Sequence, residues 1–385
     1  MSRRLNRRVR EALTALHQRD RHRRRRVIEP VGPGLARVDG QACVNFCSND
    51  YLGLAQDPRL QATCGAAGSG ASALVTGYSP AHAELEVALA NWLGRDRVLL
   101  FPSGFSANVG CLDALLRRGD QAVCDALNHA SLIDGVRLSG ATKAIYPHAD
   151  VQGAEAQLKT APEAVSALVT DSVFSMDGDV APLEALATLA RARDALLYVD
   201  DAHGLGVLGD DGAGVAAQHG QDSIPMLIGT LGKSLGAAGA FVAGPAELID
   251  YLENRARTQI YSTACPPVAA QAALSALHIA RVEPWRRERI RELITHLHQS
   301  LAAAGLPVPQ SQTAIQPIVL GTDASALRAS QDLQARGYLV TAIRPPTVPE
   351  GSARLRITLT AAHSKSQVSG LVEALADSLL ESRVA

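Results

Sequence analysis

The chain has 385 residues, of which 47% are hydrophobic and 19% are charged, and its formal net charge is −1. This length exceeds one compact core and predicts two lobes, and the composition excludes wholesale disorder. The near-zero charge gives the body no overall field that would attract nucleic acid. No apolar stretch approaches the roughly 18–20 residues of a membrane helix. We therefore expect a globular cytoplasmic protein that binds neither nucleic acid nor membrane.

Six cysteines are present, and none forms a CxxC pair. Cys43 and Cys47 have no second pair of ligands nearby, and no HExxH sequence occurs, so no metal site is predicted. Reduced thiols in the cytosol are the preferred interpretation.

The first 26 residues differ from the rest in charge, because eleven arginines face only two carboxylates. Leu5, Val9, Leu13 and Leu16 recur at helical spacing, which predicts a basic amphipathic helix. We expect this helix to pack on the body through its leucines. An organellar presequence or a nucleic-acid arm would be equally rich in arginine, but no aromatic residues are interleaved here.

Further along, residues 36–46 predict two short strands, and residues 80–94 predict an amphipathic helix that begins at a proline. Five apolar runs then predict buried strands with helical patterns between them: 97–101, 123–125, 167–169, 196–200 and 226–229. Such alternation is typical of a mostly parallel α/β sheet flanked by helices.

After about residue 265 the pattern changes to long helices over 268–304, followed by short strands and two further helices. This pattern predicts a smaller α+β domain. We therefore divide the chain into an N-terminal arm with short strands (1–48), a large α/β domain (49–267) and a C-terminal α+β domain (268–385) that the arm joins.

The apolar run at 226–229 leads into a turn that carries Lys233, and the run at 196–200 ends in Asp200 and His203. In a parallel sheet both strand ends lie at the carboxyl edge, where ligands bind. A lysine that faces an acid and a histidine suits a Schiff base to pyridoxal phosphate, with the acid paired to the ring nitrogen. We interpret Lys233 as that lysine.

Two other strand ends carry polar residues. Ser103-Gly104-Phe105 stands between a strand and a helix, which is the arrangement of a phosphate-binding helix N-terminus and also of a plain turn. His129 follows the next strand in a polar turn, so a functional role and a place in the core are both open.

Two further patterns resemble nucleotide-binding motifs. Gly204, Gly206 and Gly209 fit GxGxxG, but four residues separate them from the strand and a turn follows. The sequence Gly232-Lys233-Ser234 lacks the first glycine of a P-loop, because position 227 is leucine. We reject both readings, since each motif requires its glycines at the strand–helix junction.

Taken together, several stretches in order resemble the α-oxoamine synthases, the acyl-CoA-dependent branch of the fold type I pyridoxal phosphate enzymes. The resemblance covers nearly the whole chain. Its motifs are Asn49-Asp50-Tyr51-Leu52-Gly53, Gly77-Tyr78-Ser79, Ser103-Gly104-Phe105, His129-Ala130-Ser131, Phe174-Ser175-Met176-Asp177-Gly178, Asp200-Asp201-Ala202-His203-Gly204, Gly229-Thr230-Leu231-Gly232-Lys233 and Tyr261-Ser262-Thr263.

The resemblance implies roles for residues of the cofactor site. Lys233 would hold pyridoxal phosphate and act as the catalytic base, Asp200 would pair with the ring nitrogen, and His203 would bond the ring phenolic oxygen. His129 would stack on the ring and help at the substrate carbonyl. Ser175 would bond near the cofactor oxygen. The phosphate would be held by Gly104, Phe105, Thr230 and, from the neighbouring subunit of a homodimer, Ser262 and Thr263.

The resemblance also implies substrate contacts. Arg356 and Asn49 would bind the amino-acid carboxylate, Arg24 the acyl substrate, and Thr347 the substrate side of the pocket. The C-terminal motifs around 343–349 and 354–360 most resemble the member that joins L-alanine to a pimeloyl thioester, carried by CoA or acyl carrier protein, and releases carbon dioxide. Siblings that use glycine or serine, and a catalytically silent partner subunit, are the alternatives.

One segment departs from the family pattern. Between Pro58 and Gly77 the chain is a few residues shorter, and Ala71, Ala73 and Leu74 stand where the family usually has a glycine and a polar or basic residue. This departure predicts an altered entrance for the acyl chain.

Overall fold

The computed structural model describes residues 2–158 and 164–384, with side chains through residue 380. The strands of this part of the chain are β1 (Ile28–Gly32), β2 (Leu35–Val38), β3 (Gln41–Asn45), β4 (Arg97–Phe101), β5 (Gln121–Asp125), β6 (Thr142–Tyr146), β7 (Ser166–Asp171), β8 (Leu196–Asp200), β9 (Met226–Thr230), β10 (Ala240–Gly244), β11 (Ile315–Gly321), β12 (Tyr338–Leu339), β13 (Thr341–Ile343) and β14 (Ala353–Thr358).

The helices are α1 (Arg3–Gln18), α2 (Pro58–Gln61), α3 (Pro80–Leu93), α4 (Gly104–Leu115), α5 (Ala130–Ser139), α6 (Val151–Gln157), α7 (Leu183–Ala192), α8 (Ala246–Arg255), α9 (Arg257–Ile260), α10 (Pro267–Val282), α11 (Trp285–Ala303), α12 (Asp323–Ala335) and α13 (Lys365–Val384). Among the described residues, no helix is long and apolar enough to cross a bilayer.

The chain forms two compact units. Unit 1 comprises residues 1–49, 176–178 and 289–385, and unit 2 comprises residues 50–175 and 179–288. The units divide after residue 288, whereas the sequence analysis placed a boundary after 267. The difference arises because α10 packs against α3, so that α10 belongs with the large sheet.

Unit 2 is built on a seven-stranded sheet in the order β4-β10-β9-β8-β7-β5-β6. The pairs from β9 through β6 are parallel, and β10 is antiparallel to both β4 and β9. Strands β5 and β9 are buried along their whole length, as expected for a parallel sheet covered on both faces. The mostly parallel α/β sheet predicted from the sequence is confirmed.

Two strands of this sheet were not predicted. Strand β6 lies at one edge of the sheet, and four of its five residues are exposed or half-buried, so it has no continuous apolar run. Strand β10 is fully buried, but three of its five residues are alanine or glycine, which are weak strand formers.

Unit 1 contains two smaller sheets. One has the order β1-β2-β3-β12, and the other has the antiparallel order β11-β14-β13. Helix α12 packs on the second sheet and on α13. Every residue of β14 is buried, including Arg354 and Arg356.

Helix α1 corrects one expectation. It forms where the sequence predicted it, and the side chain of Ser2 caps it by accepting the Leu5 N–H. No residue of α1 is buried, however, and Leu5, Val9, Leu13 and Leu16 are between 39% and 45% exposed. The prediction that these leucines pack the helix on the body is therefore wrong.

A protonated histidine holds two segments of unit 2 together. His148 Nδ1 lies 2.9 Å from Asp125 Oδ1, and its Nε2 lies 2.7 Å from Asp179 Oδ2. The ring meets the edge of Phe174. Hydrogen bonds to Asp125 and then Asp179 raise the pKa of His148 to about 10.

This arrangement predicts a stability that depends on pH. Because the folded-state pKa of His148 lies above its ordinary value of 6.5, its ion pairs stabilise the fold fully below pH 6.5 and are lost as the pH rises through about 10. We expect His148→Gln to lower the free energy of unfolding most near pH 6 and least near pH 10. Denaturant unfolding of both proteins across this range measures the difference, and a constant difference would contradict the ionic contribution.

Candidate active site

Lys233 lies in a tight turn just after β9. Its carbonyl accepts the Gly236 N–H at 2.9 Å, and the Ala237 N–H donates to the Leu231 carbonyl at 2.9 Å. Gly236 has a φ of +60°, and a Cβ at this position would collide with the backbone of Ala55. The turn therefore requires glycine and fixes the base of the lysine side chain at the carboxyl edge of the sheet.

The amine of Lys233 contacts a histidine. Its Nζ lies 2.8 Å from His203 Nε2, and the hydroxyl of buried Tyr51 lies 2.6 Å from His203 Nδ1. A neutral imidazole has one donor and one acceptor nitrogen, so His203 can connect the two groups by hydrogen bonds on both sides. The sequence predicts that Lys233 and His203 lie together, but it assigns no role to Tyr51.

The side chain of Asp200 is held at the end of β8 by two hydrogen-bond donors, one of which is itself positioned by Tyr198. Its Oδ2 accepts a hydrogen bond from Asn108 Nδ2 at 2.6 Å, and its Oδ1 accepts the Ala202 N–H at 3.0 Å. The Tyr198 hydroxyl donates to Asn108 Oδ1 at 3.0 Å, and Asn108 is fully buried. Donors thus orient both carboxylate oxygens of Asp200.

His129 caps helix α5 and joins the same network. Its Nδ1 lies 2.7 Å from Ser131 Oγ, which also accepts a hydrogen bond from Asn108 Nδ2 at 2.8 Å. The His129 backbone N–H donates to Asp171 Oδ2 at 2.7 Å. Burial, and after it the charge of Lys233, lowers the pKa of His129 below its usual range, although Asp200 opposes the shift. The ring therefore stays neutral at physiological pH.

Sequence reasoning missed Asn108, Ser131 and Asp171 as members of this network. Asp171 ends β7 just as Asp200 ends β8, so its position at the carboxyl edge was the available signal. Asn108 lies inside helix α4, and its only signal was an amide in a mostly apolar helix. Burial, together with the neighbouring charge of Asp200, raises the pKa of Asp171.

The expected phosphate cradle lies at the start of α4. Ser103 caps the helix by accepting the Ser106 N–H at 3.2 Å, which leaves the N–H groups of Gly104 and Phe105 at the helix N-terminus. The ring of Phe105 is half-exposed and meets His129 edge-on. The Thr230 hydroxyl donates to the Gly239 carbonyl at 3.2 Å.

The remaining predicted residues of unit 2 are Ser175, Ser262 and Thr263. Ser175 follows β7 in the turn that begins at Val173 and Phe174. Ser262 and Thr263 line a cavity of about 110 Å³ together with Tyr78 and Glu86. Lys233, Asp200 and His129 are not among the residues that line it.

Apart from His129, which lies in unit 2, the predicted substrate residues belong to unit 1. Arg356 Nη1 donates to Asn49 Oδ1 at 3.1 Å and to Thr358 Oγ1 at 2.9 Å, so the two residues expected at the carboxylate are in contact. Arg23 Nη2 donates to Thr347 Oγ1 at 3.2 Å. Arg24, the next residue, is exposed, and its assignment to the acyl substrate stays a prediction.

The first glycine of the GxGxxG look-alike, Gly204, lies against a buried carboxylate. Asp201 accepts hydrogen bonds from the Ser172 hydroxyl and from the Ala216 N–H. A Cβ at Gly204 or at Gly214 would collide with this carboxylate. Burial raises the pKa of Asp201 to about 7. Among the described residues, no group of histidine, cysteine and acidic side chains is arranged to hold a metal ion.

Comparison with known proteins gives the family. The model of the aminotransferase class I and II family matches residues 41–375. The 8-amino-7-oxononanoate synthase of Alkalilimnicola ehrlichii is 51% identical over 380 residues, which cover 96% of this chain and 97% of the relative. The chain belongs to this synthase family. The synthase of Nitrosococcus oceani is 52% identical over 92% of this chain and 96% of its own.

Solved structures agree with this family. A serine palmitoyltransferase described as carrying a pyridoxal phosphate internal aldimine has a TM-score of 0.88 and 27% identity, over 93% of this chain and 94% of that chain. The 8-amino-7-oxononanoate synthase of Francisella tularensis has a TM-score of 0.75 and 26% identity, over 89% and 99%. The predicted fold type I architecture and the resemblance to the α-oxoamine synthases are therefore confirmed.

Proposed function

We propose that this protein condenses L-alanine with a pimeloyl thioester, releasing carbon dioxide and the thiol carrier to give 8-amino-7-oxononanoate in biotin biosynthesis. The observation that carries the proposal is the contact of Lys233 Nζ with His203 at the sheet edge that also carries Asp200. Identity of about 50% to synthases of this name over nearly the whole chain supports the substrate pair.

The residues fit pyridoxal phosphate. An amine, an oriented carboxylate and a helix N-terminus are the three groups that would hold its aldehyde, its ring nitrogen and its phosphate, and Lys233, Asp200 and α4 supply them. When bound, the cofactor supplies an electron sink for a carbanion at the amino-acid α-carbon. His129, neutral and beside Phe105, would lie against the ring.

The chain's own residues would handle the proton and the substrates. Lys233 Nζ would remove the α-proton of alanine, and the contact with His203 keeps the amine in place between steps. The neutral His129 ring would donate a hydrogen bond from Nε2 to the thioester carbonyl. Arg356, whose direction is fixed by Asn49 and Thr358, would bind the alanine carboxylate.

We further propose a cytoplasmic homodimer in which Ser262 and Thr263 serve the partner's phosphate. Both residues lie in the turn between α9 and α10, and the adjacent Tyr261 is 72% exposed. Arg24 would meet the acyl substrate, and it follows Arg23, whose side chain donates to Thr347 Oγ1.

The test is product formation. We expect protein loaded with pyridoxal phosphate to release thiol and carbon dioxide from pimeloyl-CoA with L-alanine, and to give the amino ketone by mass spectrometry. Faster turnover with glycine or serine would assign a sibling activity. No thiol release with any of the three amino acids would overturn the enzymatic proposal and favour a silent subunit.

A further inference from the structure

The charge of this protein is divided very unevenly along the chain. Residues 2–26 contain eleven arginines and two carboxylates, a net charge of +9, so the remaining residues carry −10 of the total of −1. Five of these arginines lie on helix α1: Arg3, Arg4, Arg7, Arg8 and Arg10. Among the described residues, one ion pair involves these five arginines: Arg7 Nε lies 3.8 Å from Glu11 Oε1, and both side chains are largely exposed.

The same helix presents an uncovered apolar stripe. With 16 residues, α1 is about 24 Å long, and Leu5, Val9, Leu13 and Leu16 follow one side of it at half exposure. At 100° per residue, Arg8 and Arg10 flank this stripe on its two sides, whereas Arg4 and Arg7 lie on the opposite half. An apolar stripe bordered by arginines is complementary to an acidic, partly apolar protein surface.

The residues that follow α1 form ion pairs and hydrogen bonds with the part of unit 1 that we assign to the substrate. Arg21 Nε lies 2.9 Å from Asp323 Oδ2, and its Nη2 lies 2.6 Å from Glu350 Oε2. Arg344 donates to the Asp20 carbonyl. Arg23, two residues after Arg21, donates a hydrogen bond to Thr347 Oγ1. A partner on α1 would therefore lie beside the segment that we assign to the acyl substrate.

We propose that α1 is a docking helix for the acidic carrier protein that delivers the pimeloyl thioester. This inference rests on the proposed function and names the carrier. CoA would be bound through its phosphates, which need a few cations but no apolar stripe of this length. An acidic helical protein would contact both the cations and the apolar stripe. Single-stranded RNA would favour aromatic residues for stacking, and α1 has none besides His17.

The test compares two pairs of charge reversals with equal net charge. R8E/R10E changes the arginines beside the stripe, and R4E/R7E changes those on the opposite half. We expect R8E/R10E to raise the KM for pimeloyl-acyl carrier protein about tenfold or more, the scale of a lost interface anchor. We expect R4E/R7E to raise it by no more than about threefold, through weaker long-range attraction. Pimeloyl-N-acetylcysteamine, which has the thioester without a carrier, should keep its kcat and KM in both variants.

Binding is measured separately from turnover, by fluorescence anisotropy of labelled acyl carrier protein with each variant. Weaker binding by R8E/R10E than by R4E/R7E supports the docking helix even if no thioester is condensed, in which case the proposed function alone fails. Equal losses of binding in the two double variants would overturn the docking proposal, as would unchanged binding in both. Tight binding of wild type to phosphatidylglycerol vesicles or to poly(U) RNA, without binding of the carrier, would assign α1 to a membrane or to RNA. A change from dimer to monomer in R8E/R10E would make α1 a subunit contact and would also overturn the proposal.

Discussion

Lys233→Ala is expected to reduce kcat for thiol release from pimeloyl-CoA and L-alanine by about 10²–10⁴-fold, since it removes the positioned base. Alanine also removes the amine that lies 2.8 Å from His203 Nε2. The measurement is the initial rate of thiol appearance at saturating alanine. The visible absorbance of the lysine-bound cofactor should disappear from the same protein.

Lys365→Ala is the matched control, because Lys365 begins α13 and its side chain is 55% exposed. It should keep the wild-type rate and the wild-type spectrum. If Lys233→Ala retained the absorbance band and turned over normally, Lys233 would not be the cofactor lysine, and the proposed function would lose its main support.

Asp200→Asn is expected to lower kcat/KM by roughly 10²–10⁴-fold, in the range for a group that holds a proton at the reacting centre. Asparagine keeps the size of the side chain but removes the negative charge, so a protonated ring nitrogen would lose its partner. It also places an amide opposite Asn108 Nδ2, the donor that now lies 2.6 Å from the carboxylate. The measurement is steady-state turnover, with the retained cofactor determined after dialysis.

Tyr198→Phe provides a graded control for the same network. It removes the hydroxyl that donates to Asn108 at 3.0 Å and leaves the carboxylate in place. We expect a loss of about 1 kcal/mol in the free energy of unfolding, the usual net value of one hydrogen bond, with turnover reduced less than tenfold. An Asp200→Asn protein as active as Tyr198→Phe would refute the assigned role of Asp200.

The sequence was sufficient for the groups that stand at strand ends. Lys233, Asp200 and His203 each follow an apolar run, and parallel strands bring their carboxyl ends to one edge. The remaining contacts depend on packing between distant segments. Tyr51 reaches His203 across 152 positions of sequence, and Asn108 reaches Asp200 across 92, so no local pattern predicts either hydrogen bond.

The same limit applied to helix α1 and to the strands. The leucine spacing of α1 predicted its helical form correctly, but amphipathicity alone does not tell which surface covers the apolar side. Strand β10 was missed because a short run of small residues has little intrinsic preference, and its two antiparallel neighbours stabilise it.

The carboxylate of Asp201 has a consequence for how sequences of this kind vary. Because Gly204 and Gly214 both lie against that carboxylate, the three positions form one steric unit, and a side chain can be added at either glycine only if the acid becomes smaller or moves. Change at these positions should therefore be concerted, and any alanine accepted at 204 should be accompanied by a replacement at 201. In this chain the first glycine of a pattern that elsewhere binds a dinucleotide is required by the space that a buried acid occupies.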